Sequence, residues 1–215
     1  MPASLIVENL SKKYNEYYAL APTSFTLNPA KITILSGPNG SGKTTLLSCL
    51  SGFQKPTSGS IKVDGFDLYA AEVEFKKRLA FVPDVPRFYT ELTAWEHLKF
   101  IAIAHDNTSH FSERVQELLT QLGLWEARDL YPHNFSRGMR LKLGLALAFI
   151  RPFEVLLLDE PTSALDESGT ELLVESLKDL RSQNKTILLS THDPHLIDQL
   201  ADHRLHIEHG LIEAD

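Results

Sequence analysis

Lys43 and Thr44 close the stretch GPNGSGKT, residues 37–44, which fits G-x-x-x-x-G-K-[ST] at every defined position. Such a stretch cradles a polyphosphate. Glycines allow successive backbone N–H groups to turn inward around phosphate oxygens. Gly37, Pro38, Asn39, Gly40, Ser41 and Gly42 supply the loop, and Lys43 brings a positive charge to the β and γ phosphates. Thr44, followed by Thr45, offers a hydroxyl to Mg²⁺. A second group of reactive residues ends VLLLDE, residues 155–160. Asp159 closes a buried strand, where a carboxylate needs a cation, and Mg²⁺ is the natural one. Glu160 stands one residue further, suited to act as general base on an attacking water, a role worth ~10²–10⁴ in rate.

A third stretch, NFSRGMRLKLGLALAFI (134–150), reads as the capped, donor-rich start of a buried helix. Ser136 is its cap, and Arg137, Gly138 and Met139 follow. Helix starts attract anions, but read by itself this one is a structural N-cap more readily than a second phosphate contact, about a hundred residues after the first. LKLGLALAF alternates like a strand, but its length, the cap and the small Gly144, Ala146 and Ala148 favour a tightly packed helix.

These residues need elements to hold them. Short strands are expected at SLIVEN and SFTL, a buried strand at 31–36, a helix from about Thr44 to Leu50, and a hairpin-like strand closed by Asp64-Gly65. RLAFVP (78–83) is a further strand, and from Asp84 to about Phe149 the pattern turns helical. Strands return at 154–159, 185–190 and 203–208, with an amphipathic helix through Leu173, Leu177 and Leu180 between the first two. Unbroken apolar strands alternating with helices mean a mostly parallel sheet covered on both faces. The expectation is an α/β fold in a single domain. Residues 1–83 and 153–215 form the nucleotide-binding core with a small N-terminal antiparallel β part, and 84–152 form an inserted helical subdomain.

The chain has 215 residues, 43% hydrophobic, enough for one sizeable core. Its net charge of −7 argues against nucleic acid as a partner. Cys49, the single cysteine, cannot form an internal disulfide and reads as a packed thiol in a reducing compartment. No signal peptide and no bilayer-spanning run is expected. His203 and His209 fall on one face of the last strand and His206 on the other, so they make no metal site.

The order of these motifs resembles the nucleotide-binding subunits of ATP-binding-cassette transporters, over about residues 5 to 212. GPNGSGKTT is similar to their P-loop, VLLLDEPTSALD to their second nucleotide motif and its following loop, and FSRGM to their signature motif, usually LSGGQ. LLSTHD is similar to the switch-histidine segment, and Tyr14 to the aromatic that stacks on adenine, with Tyr17 and Tyr18 as rivals. The resemblance implies ATP and Mg²⁺ as ligands. It implies a head-to-tail pairing with a second copy or a related cassette, in which the P-loop of one subunit and the signature helix of its mate enclose each ATP. His192 would contact the γ-phosphate and orient Glu160, and Asp166 would link the two composite sites, a role compatible with capping the helix that follows.

Two departures stand out. Asp84 occupies the place of the family's usual glutamine, which lends an oxygen to Mg²⁺ or water, and Arg137 replaces a glycine. Asp84 is therefore expected as a metal or water contact beside Thr44 and Asp159. The groove from Asp84 to Leu92 resembles the family's docking site for a membrane subunit, with Phe88 and Tyr89 either in it or in the core. The expected function is the ATPase subunit of a transporter, an exporter by FVPD and FSRGM, held at the cytoplasmic face of the membrane through a separate permease. Two other readings stay open: a non-transport cassette such as an iron–sulfur assembly ATPase, and a regulatory cassette that binds ATP without turnover.

Overall fold

Unbroken apolar strands build one compact unit, and a run of helices builds another. The structure, a computed structural model, describes residues 3–214. The first unit takes the chain up to Phe81, Phe153–Glu160 and the chain from Leu173 onward; the second takes Val82–Pro152 and Pro161–Leu172.

Chain order in the first unit starts with β1 (Leu5–Tyr14) and β2 (Tyr17–Leu27), an antiparallel hairpin with Tyr14 opposite Tyr17. Asn15 turns the chain between them in the left-handed region, which asparagine tolerates. β4 (Ser58–Val63) and β5 (Phe66–Asp67) complete a four-stranded sheet ordered β2-β1-β4-β5. The second sheet joins β3 (Ile32–Ser36), β6 (Leu79–Val82), β7 (Val155–Asp159), β8 (Thr186–Ser190), β9 (His203–Glu208) and β10 (Leu211–Ala214), ordered β10-β9-β3-β8-β7-β6. β9, β3, β8 and β7 run parallel, and β10 is antiparallel to β9. β7 and β8 are buried at every position and β3 at four of five, as strands covered on both faces must be. α1 (Lys43–Leu50), α2 (Glu72–Arg78), most of α6 (Glu167–Ser182) and α7 (Pro194–Leu200) belong to this unit.

The second unit holds α3 (Ala94–Ala104), α4 (Phe111–Gln121) and α5 (Arg137–Phe149). Thr93 and Glu96 form a reciprocal capping box at the start of α3. Leu98, Val115, Leu119, Leu143, Ala146 and Ile150 are among the residues that make its core. LKLGLALAF is helical, as its cap and small residues required, and Gly144, Ala146 and Ala148 are buried.

Several expectations are corrected. β1 and β2 are ten and eleven residues long rather than short, because an antiparallel hairpin keeps pairing through exposed polar positions that lack an apolar signal. The segment 84–93 is not helical: Pro86 restricts the residue before it, and helix begins only at the Thr93 cap. Arg78 ends α2 instead of starting β6. His209 lies beyond β9 in a left-handed turn, so it shares no strand face with His203. Among the described residues no helix is long and apolar enough to cross a membrane.

Candidate active site

Parallel strands deliver their polar termini to one edge of a sheet, where α/β sites lie. β3 ends at Ser36 and passes into the loop 37–42; β7 ends at Asp159; β8 ends at Ser190, directly opposite Asp159 in register. Pro38, Asn39, Gly40 and Thr44 are exposed, Thr45 is half-buried, and Ser41 is buried with its hydroxyl unpaired. Gly42 has φ +116°, and a Cβ there would stand 2.6 Å from the carbonyl oxygen of Ala19, so only glycine fits where the loop enters α1.

Lys43 is almost fully buried, and its ion pair with Glu160 is a long one. Its Nζ donates to the carbonyls of Gly37 at 2.8 Å and Pro38 at 3.2 Å, and Glu160 Oε1 is 3.8 Å away. The ammonium therefore turns back on its own loop. Asp159 presents the opposite charge. Its Oδ1 accepts from Ser190 Oγ at 2.6 Å, while Oδ2 is buried without a hydrogen-bond partner. A buried carboxylate oxygen left bare suits a hard cation or its water. Among the described residues no three His, Cys, Asp or Glu side chains cluster as a complete metal cage. Mg²⁺ fits that pattern, since it takes one or two carboxylates and completes its shell with phosphates and water.

Glu160 follows in the left-handed region, φ +43°, a conformation that costs a non-glycine residue about 1–3 kcal/mol. Its N–H donates to Ser190 Oγ at 2.9 Å, which helps hold that conformation. His192 Nδ1 lies 3.2 Å from Glu160 Oε2 and its ring is largely exposed. Lys43, Asp159, Glu160, Ser190 and His192 thus meet around the ends of β3, β7 and β8. Ser190 was not foreseen. Its signal was present: KTILLS ends on a polar residue just as VLLLD does, and in-register parallel strands place such residues side by side.

Tyr14 ends β1, and its hydroxyl donates to Gln54 Oε1 at 2.7 Å, tying the ring to the segment after α1, while Lys12 Nζ sits 5.0 Å from the ring centre. Tyr17 and Tyr18 are also exposed, and Lys13 lies over Tyr18.

In the second unit, Ser136 caps α5 by accepting from the N–H of Met139 at 3.2 Å. A Cβ on Gly138 would come 2.6 Å from the carbonyl oxygen of Ala164, so the close approach that this glycine permits within the subunit is to its own 161–166 segment. Asp84 Oδ1 accepts from Arg137 Nη2 at 2.9 Å and from Ser163 Oγ at 2.7 Å. Asp166 caps α6 through the N–H of Gly169, and that bond holds its carboxyl below the usual range. Phe88 packs on the core of this unit, whereas Tyr89 is exposed and stacks on His97.

Residues 20–163 match the family described as ABC transporter. The SkfA peptide export ATP-binding protein SkfE of Bacillus subtilis (strain 168) is 34% identical over 97% of this chain and 87% of its own length. The methionine import ATP-binding protein MetN of Chlamydia pneumoniae is also 34% identical, over 96% of this chain, which spans only 63% of that protein. A solved ATP-binding subunit of an ABC transporter superposes with a TM-score of 0.90 at 28% identity, over 98% of this chain and 89% of its own. A bacterial ABC transporter cassette solved as a dimer gives 0.87 at 24% identity, covering 98% of each, and shares the fold.

Proposed function

The chain belongs to the ABC transporter family of ATP-binding, ATP-hydrolysing proteins, and we propose that it is the ATPase subunit of an exporter. It works as a head-to-tail pair of copies, or with a related cassette, at the cytoplasmic face of a membrane through a separate permease. The observation that carries the ATPase reading is the meeting of a bare Asp159 oxygen, a buried Lys43 and the Glu160 carboxylate within one sheet edge. The exporter reading is supported by FVPD and FSRGM, and by the peptide-export relative, which this chain matches over most of both lengths.

Each residue then has a task set by its position. The loop 37–42 and Thr45 direct donors at the phosphates, and Tyr14 carries the adenine ring. Lys43 moves from its loop carbonyls to the β and γ phosphates. Thr44 and Asp159 would hold Mg²⁺, and the ion when bound would neutralise charge on the phosphates. Glu160 orients and polarises the attacking water, held by Ser190 at its backbone and His192 at its side chain. Ser136, Arg137, Gly138 and Met139 of the second copy close the chamber on the γ-phosphate, and Asp166 links the two chambers. Closing and reopening of the pair is the stroke passed to the permease, through the exposed surface around Tyr89.

Glu160→Gln tests this. The variant should lose ATP hydrolysis while accumulating ATP-dependent dimers, visible as a doubled mass by light scattering. Equal ATPase rates for wild type and variant would remove Glu160 from catalysis and favour a regulatory cassette. Affinity purification from detergent-solubilised membranes should recover a polytopic protein; soluble assembly factors alone would favour the iron–sulfur reading.

A further inference from the structure

Arg137 is the first residue of α5, where a cation faces the positive end of the helix. A guanidinium needs a compensating anion there, and the structure supplies one from elsewhere in the same unit. Asp84 Oδ1, in the loop after β6, lies 2.9 Å from Arg137 Nη2. Ser163 closes the triangle: its Oγ donates to the same carboxylate oxygen at 2.7 Å and accepts from Arg137 Nη2 at 3.1 Å. The two positions that depart from the family's usual residues are therefore partners. One adds a negative charge, the other a positive charge, and the pair is neutral.

We propose that Arg137 is a γ-phosphate ligand for the partner copy's ATP, held ready by Asp84 and Ser163 until that ATP arrives. The proposal rests on the head-to-tail reading above. Carboxylate and phosphate present the same face to a guanidinium, two acceptor oxygens matching its fork, and a terminal phosphate carries more charge than a carboxylate. Arg137 is 59% exposed, so its side chain can exchange one anion for the other without unpacking a core. Its neighbour Ser136 accepts from the N–H of Met139 and offers only a neutral hydroxyl. Arg137 is thus the side chain of this segment that brings new charge to an incoming phosphate. Asp84 and Ser163 are positioning residues: they pre-aim the guanidinium and compete for it at the same time.

That competition sets opposite signs for two substitutions. In a Glu160→Gln background, dimer mass is followed by sedimentation as Mg²⁺-ATP is titrated. Arg137→Ala should raise the ATP concentration for half-maximal pairing by about tenfold or more, and Arg137→Lys should recover part of that loss. Asp84→Asn should lower it by roughly three- to tenfold, because the guanidinium no longer has a charged rival. Combined with Arg137→Ala, Asp84→Asn should have no effect of its own. Pairing weakened by Asp84→Asn, or unchanged by Arg137→Ala, would overturn the proposal; the first result would make Asp84 a cation contact in the closed pair. If the Glu160→Gln protein itself never pairs with ATP, the head-to-tail reading fails first and takes the proposal with it.

Discussion

Ser190→Ala removes one hydroxyl and should disturb two catalytic groups. The hydroxyl is fully buried, donates to Asp159 Oδ1 at 2.6 Å and accepts the N–H of Glu160 at 2.9 Å. A hydrogen bond to a charged group contributes about 1.5–3 kcal/mol, and an orphaned buried N–H costs about 1–3 kcal/mol. The two losses share one atom and are not additive, so about 2–4 kcal/mol is the expected total. For a chain of this length 1 kcal/mol shifts Tm by about 2–4 °C, so melting should fall by roughly 5–15 °C. After the substitution neither oxygen of Asp159 has a protein partner, because Oδ2 already has none. Mg²⁺-ATP should therefore stabilise the variant at least as many degrees as wild type, provided it binds. Activity should fall through kcat more than KM, since Glu160 loses the bond that holds its left-handed backbone. Calorimetry with and without Mg²⁺-ATP, together with steady-state ATPase rates, measures both effects. A variant that melts within 2 °C of wild type and keeps its kcat within about twofold would show that the bridge by Ser190 carries no energy.

Gly42→Ala should abolish binding of a fluorescent ATP analogue, because the new Cβ would meet the Ala19 carbonyl at 2.6 Å in a backbone conformation alanine avoids. Burial pushes the Cys49 thiol up to about 11, so a thiol reagent at about pH 8 should label the folded protein negligibly and the denatured chain fully. Burial raises the Asp202 carboxyl, but the Ile32 N–H with Arg181 and Lys31 outweighs it, and the net shift is downward. A lowered folded value gives stability that is present above the ordinary carboxylate range and lost as pH falls through the folded value. Asp202→Asn should therefore melt below wild type at about pH 7, and the gap should close below about pH 4. A gap that stayed constant with pH would show that Asp202 acts through packing alone.

How much of this was legible follows from what each element buries. β3, β7 and β8 announce themselves because both faces are covered and the positions between their ends are nearly all apolar. The P-loop is legible because its spacing is dictated by the phosphate it wraps. The outer halves of β1 and β2 carry polar residues on solvent faces, and their pairing is fixed by each other rather than by a local pattern. β10, α2 and α7 run to seven residues or fewer, too short for a clear period. The Arg137–Asp84 bond joins residues 53 positions apart, and no local signal announces a pairing across that span. Each residue alone looked like a departure; only tertiary placement makes them a pair.

The first unit also carries electrostatic demands of opposite sign within one sheet edge. Asp159 Oδ2 is buried without a hydrogen-bond partner, and Lys43 Nζ reaches Glu160 only at 3.8 Å. Phosphate without metal would satisfy Lys43 but bring negative charge towards Asp159 and Glu160. Metal without phosphate would satisfy Asp159 but bring positive charge towards Lys43. Only a ligand carrying both signs in the right order relieves both demands together, as a metal–polyphosphate does. Binding to the folded state stabilises it by RT ln(1 + [L]/Kd), so melting reads that relief directly. Mg²⁺ alone, or ATP with a chelator, should each shift Tm by little. The two together should shift it by more than the sum of the separate shifts, in Glu160→Gln so that hydrolysis does not consume the ligand. Additive shifts would mean that Asp159 and Lys43 are satisfied independently, and that the sheet edge does not read metal and phosphate as one object.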